Sequence, residues 1–339
     1  MLKVLFANPF FLADSALERK FMTLYFPLGL LYLAGVAREA GHSVAVFDGT
    51  FALGDGAYVD ALAEHDPDVV CIASLVTLRR AALRLARLAD NHGAIVIVGG
   101  PDPSAEPEAY LSEPAVDVVV VGEGERTLID LLATLEVGGY LARVRGIAYR
   151  SDDGTVTKTQ DREPILDLDV LSWPARDLIE VNRYLTVWKT SHGYSSLSLS
   201  ASRGCPYGCE YCTEAVMGPH LRRRSPASVA AEMRHLEMQH APDRFRLVDD
   251  LEGLGRDWLL ALGRAMIAAG VTTPYEGLKP IDLGDLPMLT PAKDICAERN
   301  MWIPTQAPHA HAPPALDPQA LHRRWQEGQL LEGEHLEDP

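Results

Sequence analysis

The stretch "AIVIVGGPDPSAEPEAYLSEPAVDVVVVGEGE" (94–125) decides the fold. Two short runs of Val and Ile, each closed by glycines, flank a polar, proline-marked segment. Runs this continuous suit parallel strands buried on both faces, where alternation would leave one face wet. Glycines at strand ends let a backbone approach a ligand closely. The same pattern extends upstream in "KVLFANP" (3–9), "SVAVFDG" (43–49) and "DVVCIAS" (68–74). Helical patterns separate the runs: "PLGLLYLAGVAREAG", "GAYVDALAEH", "TLRRAALRLARLADNHG" and a short one near "EPEAYLSE". A last helix, "ERTLIDLLATLEVGG", ends in glycines suited to a C-cap. Five βα units predict a doubly wound parallel α/β domain over 1–140, with ligands at the carboxyl ends of the strands.

Downstream, "GIAYRSDDGTVTKT" (146–159) reads as a hairpin turning at Asp153-Gly154. It belongs to a connector, 141–195, that also carries "DLDVLSWPARDLIEVNRY". A second domain is expected over 196–285. It begins with strand "SLSLSASRG" and a cysteine loop, then a helix with Ser225 as N-cap and Pro226 at its first position. Strand "RFRLVDD", helix "RDWLLALGRAMIAAG" and a strand near "PYEGLKPID" follow. Residues 286–339 hold eight prolines and no strand pattern, and read as a poorly ordered tail.

The net charge of −16 leaves no broad surface to neutralise phosphates, which argues against nucleic acid as a partner. The start "MLKVLFANPF" lacks the layout of a secretory signal, and five cysteines with three bunched together suggest a reducing, cytoplasmic setting and a metal. The segment 21–37 is uncharged, but Pro27 and Gly29 interrupt it. It reads as a loop and a buried helix, not a membrane span.

The thiols stand as Cys205-x3-Cys209-x2-Cys212, with Gly204 and Gly208 freeing the loop to curl. Thiolates suit zinc or an iron–sulfur cluster. Three ligands do not close a structural zinc site, and they leave one position open. The spacing, with the aromatic Tyr211 just before the last cysteine on a loop after a first strand, resembles the radical S-adenosylmethionine (SAM) signature. The resemblance implies that Cys205, Cys209 and Cys212 hold a 4Fe-4S cluster and that SAM chelates the fourth iron. It implies that Tyr211 lies by the adenine and that Asp249 or Asp250, ending the next strand, contacts SAM.

The strand-end loops of the first domain, in order, resemble the cobalamin-binding pattern Asp-x-His-x-x-Gly, Ser-x-Leu, Gly-Gly. The chain keeps Asp48, Ser74 and Gly99-Gly100, but Thr50 stands in the histidine position and Gly54 falls one residue late. The resemblance implies a flavodoxin-like domain holding cobalamin through Asp48, Thr50, Ser74, Thr77, Gly99, Gly100, Gly122 and Glu123, without an imidazole lower ligand. A nicotinamide site would want G-x-G-x-x-G after the first strand, and "ANPFFLAD" has no glycine. The family is that of cobalamin-binding-domain-containing radical SAM proteins, and the resemblance spans about 1–285. It implies an enzyme of methyl transfer or ring formation on a small molecule, fed by an electron donor such as a flavodoxin or ferredoxin.

Only about three βα units of a radical SAM barrel are legible, so the barrel reads as partial. The alternatives are a corrinoid- or cluster-binding protein without turnover, a subunit whose barrel a second chain completes, or a zinc-stabilised binding module. Arg222-Arg223-Arg224 reads as a solvated approach to a helix or as a site for an anion.

Overall fold

A computed structural model describes residues 1–151, 153–206, 217–249 and 256–276. Seven strands build the first sheet: β1 (Lys3–Asn8), β2 (Ser43–Asp48), β3 (Val69–Ala73), β4 (Ile95–Gly99), β5 (Val118–Val120), β6 (Ile147–Arg150) and β7 (Val156–Lys158). Their order is β2-β1-β3-β4-β5-β6-β7. The first five are parallel, and β6–β7 is the hairpin expected around Asp153-Gly154, added antiparallel to the β5 edge. The order reverses at β1, so the ligand crevice of this flavodoxin-like fold falls outside the carboxyl ends of β1 and β3.

The helices here are α1 (Ala16–Phe21), α2 (Leu28–Glu39), α3 (Gly56–His65), α4 (Arg79–His92), α5 (Pro101–Ala105), α6 (Pro107–Leu111) and α7 (Gly124–Glu136). Both sheet faces are covered, which is why the strands are apolar throughout. Leu30, Ala34, Leu128 and Leu131 from α2 and α7 pack on one face with Val4, Phe6 and Cys71. Tyr58, Leu62, Leu85 and Tyr110 from α3, α4 and α6 pack on the other with Leu5, Val70 and Ile72. Burying each such side chain is worth about 1.5–3 kcal/mol. The uncharged segment 21–37 becomes a loop and the first turns of α2, buried against the sheet as expected. Among the described residues no helix is long and apolar enough to cross a membrane.

The connector leads into α8 (Val181–His192) and β8 (Ser196–Leu199). Then come β9 (Ser202–Arg203), β10 (Arg222–Arg223), α9 (Pro226–His240), β11 (Arg244–Leu247), α10 (Arg256–Ala269) and β12 (Tyr275–Glu276). β8, β11 and β12 form a parallel sheet in the order β12-β11-β8, so the helices that follow β8 and β11 are crossover helices. Ser225 caps α9 by accepting from the Ser228 amide, with Pro226 in the first turn. The core of this part includes Leu24, Phe26 and Leu28 from the first domain beside Leu197, Val229, Met233 and Phe245. Trp173 fixes the connector between the halves. Its ring lies 5.1 Å from that of His235 on α9, and its carbonyl passes Gly35 of α2 where a Cβ would come within 3.1 Å.

Candidate cofactor site

The loops after β2, β3, β4 and β5 line one edge of the first sheet. Gly100 has φ +122°, and a Cβ there would sit 2.4 Å from the Ser74 carbonyl oxygen. Only glycine lets these two strand ends approach so closely. Ser74 Oγ and Tyr110 Oη are 2.7 Å apart, and Tyr110 donates to Asp102 Oδ2 at 2.6 Å. Arg79 grips Asp102 with Nε and Nη2 at 2.7 and 2.6 Å. That bond holds the Asp102 carboxyl below its ordinary range, and burial with the Asp102 neighbour pushes the Tyr110 phenol up to about 12. A chain of four side chains therefore stiffens the "SLVT" and "GGP" loops together. The Gly122 amide donates to Ser104 Oγ at 3.0 Å, tying in the next loop. Against this rigid polar base, three apolar side chains on the same rim point to water: Leu53 at 93% exposure, Leu75 at 49% and Val76 at 67%, with Thr77 exposed beside them.

Thr50, in the histidine position of the cobalamin pattern, is fully buried. Its hydroxyl donates to Asp48 Oδ1 at 2.8 Å and accepts from Tyr184 of α8 at 2.7 Å. Tyr184 also reaches Asp48 Oδ2 at 2.6 Å, and Asn8 Nδ2 donates to Asp48 Oδ1 at 2.9 Å. Burial, reinforced by the Asp48 carboxylate, pushes the Tyr184 phenol up, so it stays a donor. The space an imidazole would need is closed by a helix of the connector. Thr50→His is expected to cost about 1–3 kcal/mol through overpacking, read as a lowered thermal midpoint. With cobalamin added, it is expected to show no spectrum of imidazole-ligated cobalt.

The base of the cysteine loop is closed by the antiparallel pair β9–β10, which sets Arg203 opposite Arg222 and Ser202 opposite Arg223. Gly204 has φ +82°, and a Cβ there would lie 2.5 Å from the His220 carbonyl oxygen, so glycine is required for the two limbs to meet. Cys205 is buried, and its amide donates to the Gly218 carbonyl at 3.3 Å. Cys209, Tyr211, Cys212 and Asp250 lie outside the described residues, as does the tail expected at 286–339. Asp249 is described. Its Oδ1 accepts from the Ala201 and Ser202 amides at 2.7 and 3.0 Å and from Ser200 Oγ at 3.0 Å. Burial pushes its carboxyl up while those bonds pull it down.

The arginine run is not a solvated approach. Arg222 and Arg224 are buried, and Arg223 lies over the Trp258 ring at 6.0 Å. Arg222 pairs with Glu123, whose other oxygen accepts from the Ile165 amide at 3.0 Å. Arg224 and Arg176 both grip Glu232, the latter at 2.6 Å, and donate to the carbonyls of Ser200 and Ser198. Arg203 donates to Glu125 at 2.5 Å. Two stretches far apart in the sequence, "WPARDL" and "RRRSPASVAAEM", thus join in one buried ion cluster around Glu232. No local spacing signals that Arg176 joins Glu232, or that Arg222 and Arg203 meet Glu123 and Glu125, because packing brings those partners together.

A family model for the B12-binding domain matches residues 16–132. The chain is 30% identical over 299 residues to an uncharacterised methyltransferase of Pyrococcus horikoshii, covering 78% of this chain and 63% of that protein. It is 32% identical over 262 residues to the anaerobic magnesium-protoporphyrin IX monomethyl ester cyclase of Synechocystis, covering 74% and 50%. The chain therefore spans about half to two thirds of the length of these relatives. Among solved structures, the cobalamin-dependent SAM radical enzyme OxsB, with aqua-cobalamin and SAM bound, superposes with a TM-score of 0.66 at 19% identity, covering 79% of this chain and 37% of that one. The radical SAM methyltransferase TsrM of Kitasatospora setae, with cobalamin and a [4Fe-4S] cluster bound, gives 0.63 at 20%, covering 79% and 51%. The first domain is a B12-binding domain. Beyond that domain the chain is homologous to these proteins, a methyltransferase and the magnesium-protoporphyrin cyclase, and shares the fold of cobalamin-dependent radical SAM enzymes.

Proposed function

We propose that this protein is a cobalamin-dependent radical SAM enzyme that uses SAM for methyl transfer or ring formation on a small molecule. The observation that carries the reading is where the neck of the three-cysteine segment is held, at Arg203–Cys205 and Arg222. That neck is bonded directly to the ligand edge of the B12-binding domain, through Arg222–Glu123 and Arg203–Glu125. The rim fits a corrin. Leu53, Leu75 and Val76 offer exposed apolar surface for a broad flat ring, and Ser74, Thr77, Gly99, Gly100 and Gly122 offer backbone and hydroxyl groups at its edge. Asp48 and Thr50 support that edge from beneath, under Tyr184. The soft thiol of Cys205 at the loop neck fits an iron–sulfur cluster, with Cys209 and Cys212 completing the set. Cys205, Cys209 and Cys212 would hold such a cluster, which, reduced by a flavodoxin- or ferredoxin-like donor, would supply the electron that splits the SAM sulfonium into methionine and the 5′-deoxyadenosyl radical. Tyr211 is assigned to the adenine, and Asp249 or Asp250 to the SAM amino group. Asp249 holds the backbone just before the thiolates in place.

The test is anaerobic reconstitution with iron, sulfide, cobalamin and SAM, reduction, and assay for 5′-deoxyadenosine. Product is expected in the wild type and none in Cys209→Ala. Bound cluster and cobalamin without product would favour a binding protein without turnover, or one whose barrel a second chain completes. No cluster would overturn the proposal.

A further inference from the structure

The ligand edge of the first sheet and the neck of the cysteine loop meet at four charges. Arg203 and Arg222 stand directly opposite each other across β9–β10. Like charges in that position push a ladder apart. Glu123 and Glu125 enter between them from the start of α7, where the helix N-terminus also favours carboxylates. Arg203 Nη2 donates to Glu125 Oε1 at 2.5 Å and its Nη1 lies 3.9 Å from Glu123 Oε2, while Arg222 pairs with Glu123 Oε1. None of the four side chains is more than 11% exposed. Loss of any one member leaves the set with a net charge, and the Tyr32 ring of α2 backs the Arg203 guanidinium at 5.3 Å.

Their places in the chain give the set a direction. Glu123 follows Gly122 on the rim, and Arg203 precedes Cys205 by two residues. Arg222 sits on the returning limb, where it also holds the Met217 carbonyl at 2.6 Å and the Ile165 carbonyl at 2.8 Å. The same bonds thus grip both limbs of the loop and the rim. We propose that Glu123 and Glu125, acting through Arg222 and Arg203, are positioning residues that set the separation between the thiolate-bearing loop and the cobalamin face. This rests on the cofactor reading above. It assigns both carboxylates to the loop instead of to the corrin.

The full chain is loaded anaerobically with iron, sulfide and hydroxocobalamin, a mild one-electron reductant converts the cobalt(III) to cob(II)alamin, and its electron paramagnetic resonance is recorded before and after a stronger reductant reduces the cluster. The reduced cluster is expected to broaden the cobalt lines in the wild type. Glu123→Gln and Glu125→Gln are expected to load both groups and lose that broadening. Glu125→Arg combined with Arg203→Glu restores the pair and should restore the broadening. Single variants that load both groups and keep wild-type broadening would overturn the proposal. So would a wild type that loads both and shows none. If a single variant fails to fold or load, the swapped pair decides: broadening supports the proposal, and a loaded swap without it overturns the proposal. If the wild type takes up no cluster or corrinoid, the cofactor reading itself has failed. The alkylation rate of Cys205 then reads the neck alone. A faster rate in Glu125→Gln supports its hold on the loop, and an unchanged rate overturns it.

Discussion

Glu232→Ala is expected to lower the stability of the protein by about 3–5 kcal/mol, the cost of leaving a buried charge without its partner. Here two charges are left. Glu232 is fully buried, and Arg176 and Arg224 are both 5% exposed. Burial alone would raise the Glu232 carboxyl, but the two guanidiniums outweigh it and hold its pKa below the ordinary range. The sign of the pH dependence follows. The carboxylate's contribution is complete above the ordinary glutamate range and is lost as pH falls through the depressed folded value. Domains are stable by about 5–15 kcal/mol, so the alanine variant is expected to lose a large share of its stability at neutral pH. Glu232→Gln keeps acceptor geometry for one arginine but no charge, and its midpoint should fall between the two. Urea unfolding of all three proteins at pH 7 and pH 4 checks this. A wild-type midpoint in the alanine variant would mean that water or other carbonyls satisfy both arginines.

Gly100→Ala is expected to have the second-largest effect, concentrated on the cofactor rim. A backbone at φ +122° and ψ −176° lies where L residues are strained, at a cost of order 1–3 kcal/mol. The added methyl would also meet the Ser74 carbonyl at 2.4 Å, and that carbonyl belongs to backbone, not to a side chain that can turn away. The Ser74 amide is itself bonded to the Gly99 carbonyl at 2.8 Å. Relief therefore requires the ends of β3 and β4 to part, which separates Ser74 from Gly100 on the rim. Cobalamin retained through gel filtration should fall with the thermal midpoint. Gly56→Ala is the control: nothing lies within 4 Å of a Cβ there, and it stands at the start of α3. That variant should match the wild type or slightly exceed it, because alanine suits a helix better than glycine.

Much of this molecule was legible in the chain. The five apolar runs became the five parallel strands because strands buried on both faces cannot alternate, and Ser225-Pro226 opened α9 because a cap and its fixed φ act locally. The glycines of the rim were visible as residues, but not the reason for them. Only in the folded sheet does Gly100 meet Ser74. The arginine run shows the limit most clearly. By composition it is a solvated charge cluster. In the fold, two of its members are buried against Glu123 and Glu232. Arg176 pairs with Glu232 across 56 residues, Arg203 with Glu125 across 78, and Tyr184 reaches Asp48 across 136. Period, caps and turn chemistry are properties of neighbours in sequence, so the chain by itself determined the elements, their class and the spacing of the three thiols. Which charge lies against which, and what closes over Thr50, depends on how α7, α8 and α9 pack. Only the tertiary structure decides that.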